Sequence, residues 1–276
     1  MKKTDKVQLP DGIRKYILEH DLITADQLAK DFEISNTTAS TYLSRTITAG
    51  IATKIAPKTI IHAPRDLPEL TAEKKRVLSV IREQMPFIEI SIWSSQDLNK
   101  YAHNIIAKSL VVVEVGEKVG DAVKDTLQSK AIKAVLYTSK QDAKTALELP
   151  EKPVLVINRS DKTGTIQDAR DPHLHNPTFE KIFVDAYFLS TRKNIGPPSS
   201  EIAASISNVF GFKHALQLSL LNAVAQRRHV EKEFHNLFYQ LRIEHPDYPI
   251  PEAYAQKIPL TPSQAKHLKT AIGGIN

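Results

Sequence analysis

The sequence contains no cysteine. That excludes disulfides, cysteine nucleophiles and thiolate zinc centres, so any metal site would have to be built from histidine and carboxylate. Long apolar runs are missing as well, with nothing approaching the ~20 residues that a bilayer-spanning helix needs. The start, Met1-Lys2-Lys3-Thr4-Asp5-Lys6, is polar where a secretory leader would be apolar. These two absences imply no membrane partner and a cytoplasmic location. A phosphate-binding glycine loop is also lacking. Val111-Val112-Val113-Glu114-Val115-Gly116 followed by Gly120 looks like a strand running into a nucleotide-binding turn. The pyrophosphate fingerprint, however, needs a second glycine two residues after the first, and Glu117, Lys118 and Val119 fill the gap. No P-loop lysine occurs, and no cofactor is expected.

What is present is ordinary globular sequence. The chain has 276 residues, 41% hydrophobic and 25% charged, which at ~150 residues per domain suits two domains. The net charge of +6 is mild, but its distribution is informative. Between Ile34 and Arg65 there is no Asp or Glu, while Arg45, Lys54, Lys58 and Arg65 supply positive charge. A locally positive surface is expected there.

Residues 10–19 read as a first helix, with Pro10 at its start and Ile13, Tyr16, Ile17 and Leu18 at helical spacing. Thr24 caps a second short helix carrying Leu28, Ala29 and Phe32, and Ser35 caps a third over 36–48 whose inner stripe is Ala39, Tyr42, Leu43 and Ile47. The opposite face of the third helix carries Asn36, Thr37, Ser40, Thr41, Ser44 and Arg45, with Thr38 beside them. After Ala49-Gly50, the β-prone runs 51–55 and 58–62 flank Ala56-Pro57 as a hairpin. Helix, helix, third helix and hairpin resemble a winged helix-turn-helix, which docks its third helix in the DNA major groove and lays its wing on the backbone. Short Asn, Thr and Ser side chains let such a helix approach base edges, and Arg and Lys neutralise phosphates. Candidate contacts on the helix are therefore Asn36, Thr37, Ser40, Thr41, Ser44 and Arg45.

Residues 1–65 thus form the winged domain, and 66–70, with Pro68, a linker. Thr71 caps a helix running to Gln84, and strands then alternate with helices: strands over 87–93, 109–115, 132–137 and 153–158, helices over 95–101, 121–129 and 140–147. The fold class is α/β (α+β), with a partly parallel sheet and a helical C-terminal part built from segments 177–188, 199–210 and 213–241. This second domain spans 71–242, and 243–276 reads as a Pro-rich irregular tail with one short helix near 262–271.

Chemistry in the second domain is sparse. Glu114 ends a strand and, with Asp121, could hold a divalent metal in a nuclease tethered to DNA, but the lysine expected two residues on is Gly116. The simpler reading is a Glu facing solvent or pairing with Lys118. Asp168, Asp171, His173 and His175 lie in a polar stretch and read as exposed loop residues, without the fixed spacing of a metal site. Glu180, Lys181 and Asp185 form the polar side of a helix, and Arg227 and Arg228 sit at a helix end, where cations favour the macrodipole. A non-enzymatic protein is the expectation, and a winged domain that contacts protein instead of DNA is the other alternative.

One resemblance spans roughly residues 10 to 240. The N-terminal winged helix, the strand ending at Trp93, the Val-rich strand with Glu114, the helix Asn176-Pro177-Thr178-Phe179-Glu180-Lys181-Ile182-Phe183-Val184-Asp185, and Ala225-Gln226-Arg227-Arg228 carry it. Together these resemble the AbiEi-type antitoxins of type IV toxin–antitoxin (abortive infection) systems, which share a P-x-L-E-K-L-L-V-D helix and an A-x-R-R helix. Phe179 stands where the family usually has Leu. The resemblance implies a transcriptional regulator that binds double-stranded DNA at its own promoter, represses its operon, and counters a nucleotidyltransferase-like toxin without a stable complex. The resemblance implies DNA contacts at Asn36, Thr37, Thr38, Ser40, Thr41, Ser44 and Arg45 and wing contacts at Lys54 and Lys58, and it transfers Glu180, Lys181, Asp185, Arg227 and Arg228 as family-pattern residues with a structural role.

Overall fold

Pro10 and Thr24 set the first two helices. In the computed structural model, which describes residues 9–20, 22–48, 52–56, 59–62, 67–102, 109–138, 154–159, 161–168, 170–211 and 216–273, α1 (Asp11–Glu19) follows Pro10 and buries Ile13 and Ile17. The Thr24 hydroxyl accepts from Gln27 N at 3.1 Å to open α2 (Ala25–Asp31). Ser35 Oγ accepts from Thr38 N at 3.1 Å ahead of α3 (Asn36–Thr48), whose Ala39 and Leu43 turn inward. These helices share a small core with Ile23 and Leu28 and pack beside a three-stranded antiparallel sheet of β1 (Leu22–Thr24), β2 (Ala52–Ala56) and β3 (Thr59–His62), ordered β1-β3-β2. The expected hairpin is present. β1 is an addition, because three residues carry no strand periodicity and become a strand only by pairing with 59–61.

The second sheet has six strands. α4 (Ala72–Gln84) is capped by Thr71, and β4 (Ile90–Ser94) leads into a 3₁₀ turn, Ser95–Lys100, closed by a Ser94–Asp97 capping box. Then come β5 (Val111–Val115), α5 (Gly120–Ser129), β6 (Ala134–Leu136), β7 (Val154–Asn158), β8 (Thr165–Gln167) and β9 (Leu174–Pro177). The order is β6-β7-β5-β4-β9-β8, parallel at β6/β7, β5/β7 and β4/β9 and antiparallel at β4/β5 and β8/β9. The sheet is therefore partly parallel, as expected. The helix expected over 140–147 lies outside the described residues. β8 and β9 take up the two ends of the expected polar loop, their short polar sequences being recruited by partners and not by their own pattern.

Both faces of the sheet are covered, which is why its strands read as continuous apolar runs. Val111, Val113, Val154 and Val156 meet Val77 and Ile81 of α4 and Val123 and Leu127 of α5. Trp93, Val112, Leu155 and Ile157 meet the C-terminal helices α6 (Phe179–Phe188), α7 (Ser199–Gly211), α8 (Leu218–Arg227), α9 (Glu231–Glu244) and α10 (Pro262–Ile272). The helical stretch from 213 to 241 ends its first helix at Arg227, where a helix end was expected, and the continuation to 241 is a separate helix, the two parted where His229 takes φ 55°, a left-handed conformation. Segment 243–276, expected as an irregular tail, contributes Ile250, Ala255, Leu268 and Ala271 to this same core. No helix among the described residues is long and apolar enough to cross a membrane.

The docking of α10 is open to test. Thr261 and Gln264 form a capping box at its start, so Thr261→Ala is expected to lower unfolding free energy by ~1 kcal/mol, read as a shift in urea midpoint. An unchanged midpoint would mean that α10 is not part of the cooperative unit.

Candidate functional site

Two regions carry polar chemistry. The first is the outer face of α3. Asn36, Thr37, Thr41, Ser44 and Arg45 are exposed, and Thr38 and Ser40 are half-buried. Thr41 Oγ1 donates to Thr37 O and Ser44 Oγ to Ser40 O, both at 2.9 Å. Those bonds orient the hydroxyls along the helix and leave the Thr41 oxygen able to accept. Thr38 differs from its neighbours: its hydroxyl lies 2.9 Å from Ser35 Oγ, so it belongs to the helix cap. The Arg45 guanidinium sits 5.8 Å from the Tyr42 ring centroid and lines an open recess with Leu9, Pro10 and Asp11. Asp11 thus brings an acid toward this face from α1, which the acid-free stretch in the sequence did not reveal. Lys54 lies on β2, which runs close to β8 of the second sheet. Lys58 and the side chain of Lys54 are outside the described residues.

The second region is a cluster of buried charges. Glu180, Lys181 and Asp185, read as the polar side of their helix, are only 2%, 0% and 1% exposed. The reason is that α6 lies between the sheet and the other C-terminal helices, so it has no solvent face. Glu114 is buried on β5, contrary to the expectation of a solvent-facing or Lys118-paired residue. One Glu114 oxygen accepts from Arg159 Nη1 at 2.6 Å, and the other pairs with Lys181 Nζ at 2.8 Å. Lys181 also bonds Asp185, one turn along α6. Asp185 Oδ1 accepts from Arg228 Nε at 2.5 Å and lies 3.3 Å from Arg159 Nη1, while Arg228 Nη1 reaches Asp161 at 3.3 Å. Three carboxylates therefore meet three cations. Arg227 is exposed and outside this group. Glu180 is outside it too, accepting from Gln217 N at 2.8 Å just ahead of α8.

Close pairing favours the charged forms of Asp185, Arg228 and Asp161. Burial alone would raise the Asp185 pKa, but Lys181, Arg228 and Arg159 outweigh it and hold the carboxyl well below the usual range. Burial would likewise lower the Arg228 pKa, yet Asp185, Glu114 and Asp161 raise it. Asp161 is lowered despite its burial, through the Thr163 N–H and Arg228. Desolvating so many charges is costly, and only close mutual pairing offsets the cost.

On the solvent side of the cluster lies a recess of about 340 Å³, including the open space at its mouth, lined by Glu89, Ser91, Glu114, Arg159, Lys162 and His175 among others. Ser91 on β4 is register partner to Glu114 on β5 and to His175 on β9, so the three residues form one row across the sheet. Lys162 bonds Glu89. The His175 pKa is lowered by burial and by Lys162, against the pull of Glu89 and Asp171.

The remaining sequence candidates have structural partners. Asp168 accepts from Arg170 N, Asp171 N and Asn176 Nδ2, and Asp171 pairs with Arg82 at 2.7 Å. His175 is buried, not exposed. Asp121 is exposed on α5, 3.2 Å from Lys124, and does not line the recess with Glu114. No group of three metal-capable side chains occurs among the described residues. Arg159, Asp161, Ser91, Glu89 and Lys162 were not anticipated. One available signal was the density of apolar residues around α6: a helix apolar on every side is buried, so its charges had to be buried too.

The fold and these sites define a mixed α/β protein with a small N-terminal helix-and-hairpin unit and a charge-balanced cluster at the end of its larger sheet. Residues 39–244 match a family of unknown function, DUF6577, and the chain belongs to that family. The match runs from within α3 to the end of α9 and takes in the whole cluster and recess. No curated protein is similar to the chain.

Proposed function

We propose that the protein is a DNA-binding transcriptional regulator resembling the AbiEi-type antitoxins, whose N-terminal unit is a winged helix-turn-helix acting on its own promoter. The α3 face carries this reading: short hydrogen-bonding side chains lead to Arg45 on an exposed surface, within residues 34–65 that hold no acid. The order α1-β1-α2-α3-β2-β3 and the antiparallel pairing of the hairpin support it. In this reading the α/β domain opposes a nucleotidyltransferase-like toxin. The family-pattern residues Lys181, Asp185 and Arg228 meet in one buried cluster, in line with a structural role.

Fluorescence anisotropy on DNA from immediately upstream of the gene, against a shuffled control at two salt concentrations, tests the reading. Tight, salt-sensitive binding that prefers the native DNA is expected. Arg45→Ala should weaken binding to both DNAs and reduce the salt slope by about 1, since each phosphate-neutralising cation releases about one counterion. Ser40→Ala and Thr41→Ala should instead change the preference between sequences. Equal, weak binding to both DNAs, unaffected by Arg45→Ala, would remove the DNA-binding assignment and leave the winged unit as a protein-contact module.

A further inference from the structure

The recess beside the charge cluster has hydrogen-bonding capacity that the protein leaves unused. Ser91 Oγ and His175 Nε2 are buried with no hydrogen-bond partner, and their residues are only 7% and 8% exposed. An unsatisfied buried polar atom carries its full desolvation cost, so folded proteins hold few of them. Here two occur on neighbouring strands in register, and both line the same opening. Arg159 and Lys162 stand beside them with partly exposed side chains. The carboxylates at the back are committed. Glu114 has a cation on each oxygen, and Asp161 accepts from Arg228 and from Thr163 N. What lacks a partner is a hydroxyl and an imidazole nitrogen, and beside them stand a guanidinium and an ammonium that are paired with Glu114 and Glu89 but carry further N–H groups, the set that recognises an oxyanion.

One residue of the chain already plays that part. Glu89, immediately ahead of β4 and 54% exposed, bonds Lys162, and the same oxygen lies 3.8 Å from His175 Nε2. Glu89, Glu114, Asp161 and Asp185 balance Arg159, Lys162, Lys181 and Arg228. Swinging Glu89 into solvent leaves one positive charge uncompensated, which a bound anion would restore.

We propose that the recess binds a small oxyanion, the carboxylate or phosphate group of a low-molecular-weight ligand, which displaces the Glu89 side chain and is held by Lys162, Arg159, Ser91 and His175. The site lies wholly in the α/β domain, so it stands or falls independently of DNA binding by α3.

The test follows the His175 ring by NMR in the full chain, titrated separately with inorganic phosphate and with acetate at constant pH and ionic strength. A saturable shift is expected, and whichever anion produces it identifies the oxyanion class. Glu89→Gln removes the internal competitor and should tighten binding about two- to fivefold, the range expected for loss of a half-exposed ion pair. Lys162→Met and Ser91→Ala should weaken binding about tenfold or more, with circular dichroism verifying that each variant folds. Three results would each overturn the proposal: no saturable shift with either anion in wild type and Glu89→Gln, no tightening in Glu89→Gln, or binding unchanged in both Lys162→Met and Ser91→Ala.

Discussion

Asp185→Ala is expected to lower the unfolding free energy by about 3–5 kcal/mol, the usual range when one partner of a buried charge network is removed. Asp185 is 1% exposed and serves Lys181, Arg228 and Arg159 together. Its loss leaves Lys181 with Glu114 alone and strips Arg228 of its closest carboxylate. The side chain itself is small, so most of the loss reflects uncompensated charge and little reflects a cavity. Urea denaturation measures the change. A loss below ~1 kcal/mol, typical of exposed pairs, would mean that water reaches the cluster. Lys181→Met alone should be costly for the same reason, and adding it to Asp185→Ala should cost less than the sum, because the two mutations remove one shared interaction.

The same carboxylate predicts an acid response. Its pKa is lower folded than unfolded, so its contribution is complete above an unfolded value of about 3.9 and is lost as pH falls toward the folded value. Wild-type stability should therefore drop below about pH 4. Asp185→Asn should be less stable at neutral pH and show a shallower drop. Parallel curves for the two proteins would argue against a charged Asp185 in the folded state.

Gly164→Ala is the other large expected effect. Gly164 has φ +78°, and a Cβ there would stand 2.8 Å from Val224 Cγ2 and 2.9 Å from Lys181 Cβ. The left-handed backbone costs a non-glycine residue ~1–3 kcal/mol, and forcing a methyl into a packed site costs a further ~1–3 kcal/mol. A destabilisation of about 2–6 kcal/mol follows. The neighbours have little room to yield, since Lys181 is held by two carboxylates and the Gly164 carbonyl accepts from Thr178 N at the start of α6. Gly116→Ala is the control, because a Cβ there meets nothing within 4 Å. Equal urea midpoints for the two variants would refute the steric account.

The parts of this fold that were legible in advance are those decided within a few residues. α3 spans 36–48 as its pattern predicts, and Thr24, Ser35 and Thr71 cap the helices that follow them. The valine runs at 111–115 and 154–158 are strands because branched residues suit a sheet buried on both faces. The strands β1, β8 and β9 were not legible, having three or four residues and no alternation of their own. The break between α8 and α9 was half legible: Arg227 and Arg228 marked a helix end, but apolar spacing continues across it, and the turn is made by His229 at φ 55° and Val230 at φ -122°.

The candidate sites divide the same way. Composition and local spacing alone excluded thiol chemistry, pointed to an α/β sheet, and marked the face of α3 with its polar row and Arg45. Glu180, Lys181 and Asp185 also stood out, but as the polar side of a helix. Their burial, the capture of Arg159 and Arg228 by Glu114 and Asp185, and the row Glu114-Ser91-His175 were decided by the tertiary structure. The physical reason is range: caps and periodicity act over one or two helical turns, whereas the charge of Asp185 is balanced by Arg228, 43 residues away in the chain, which only the packing of α8 on α6 brings within reach.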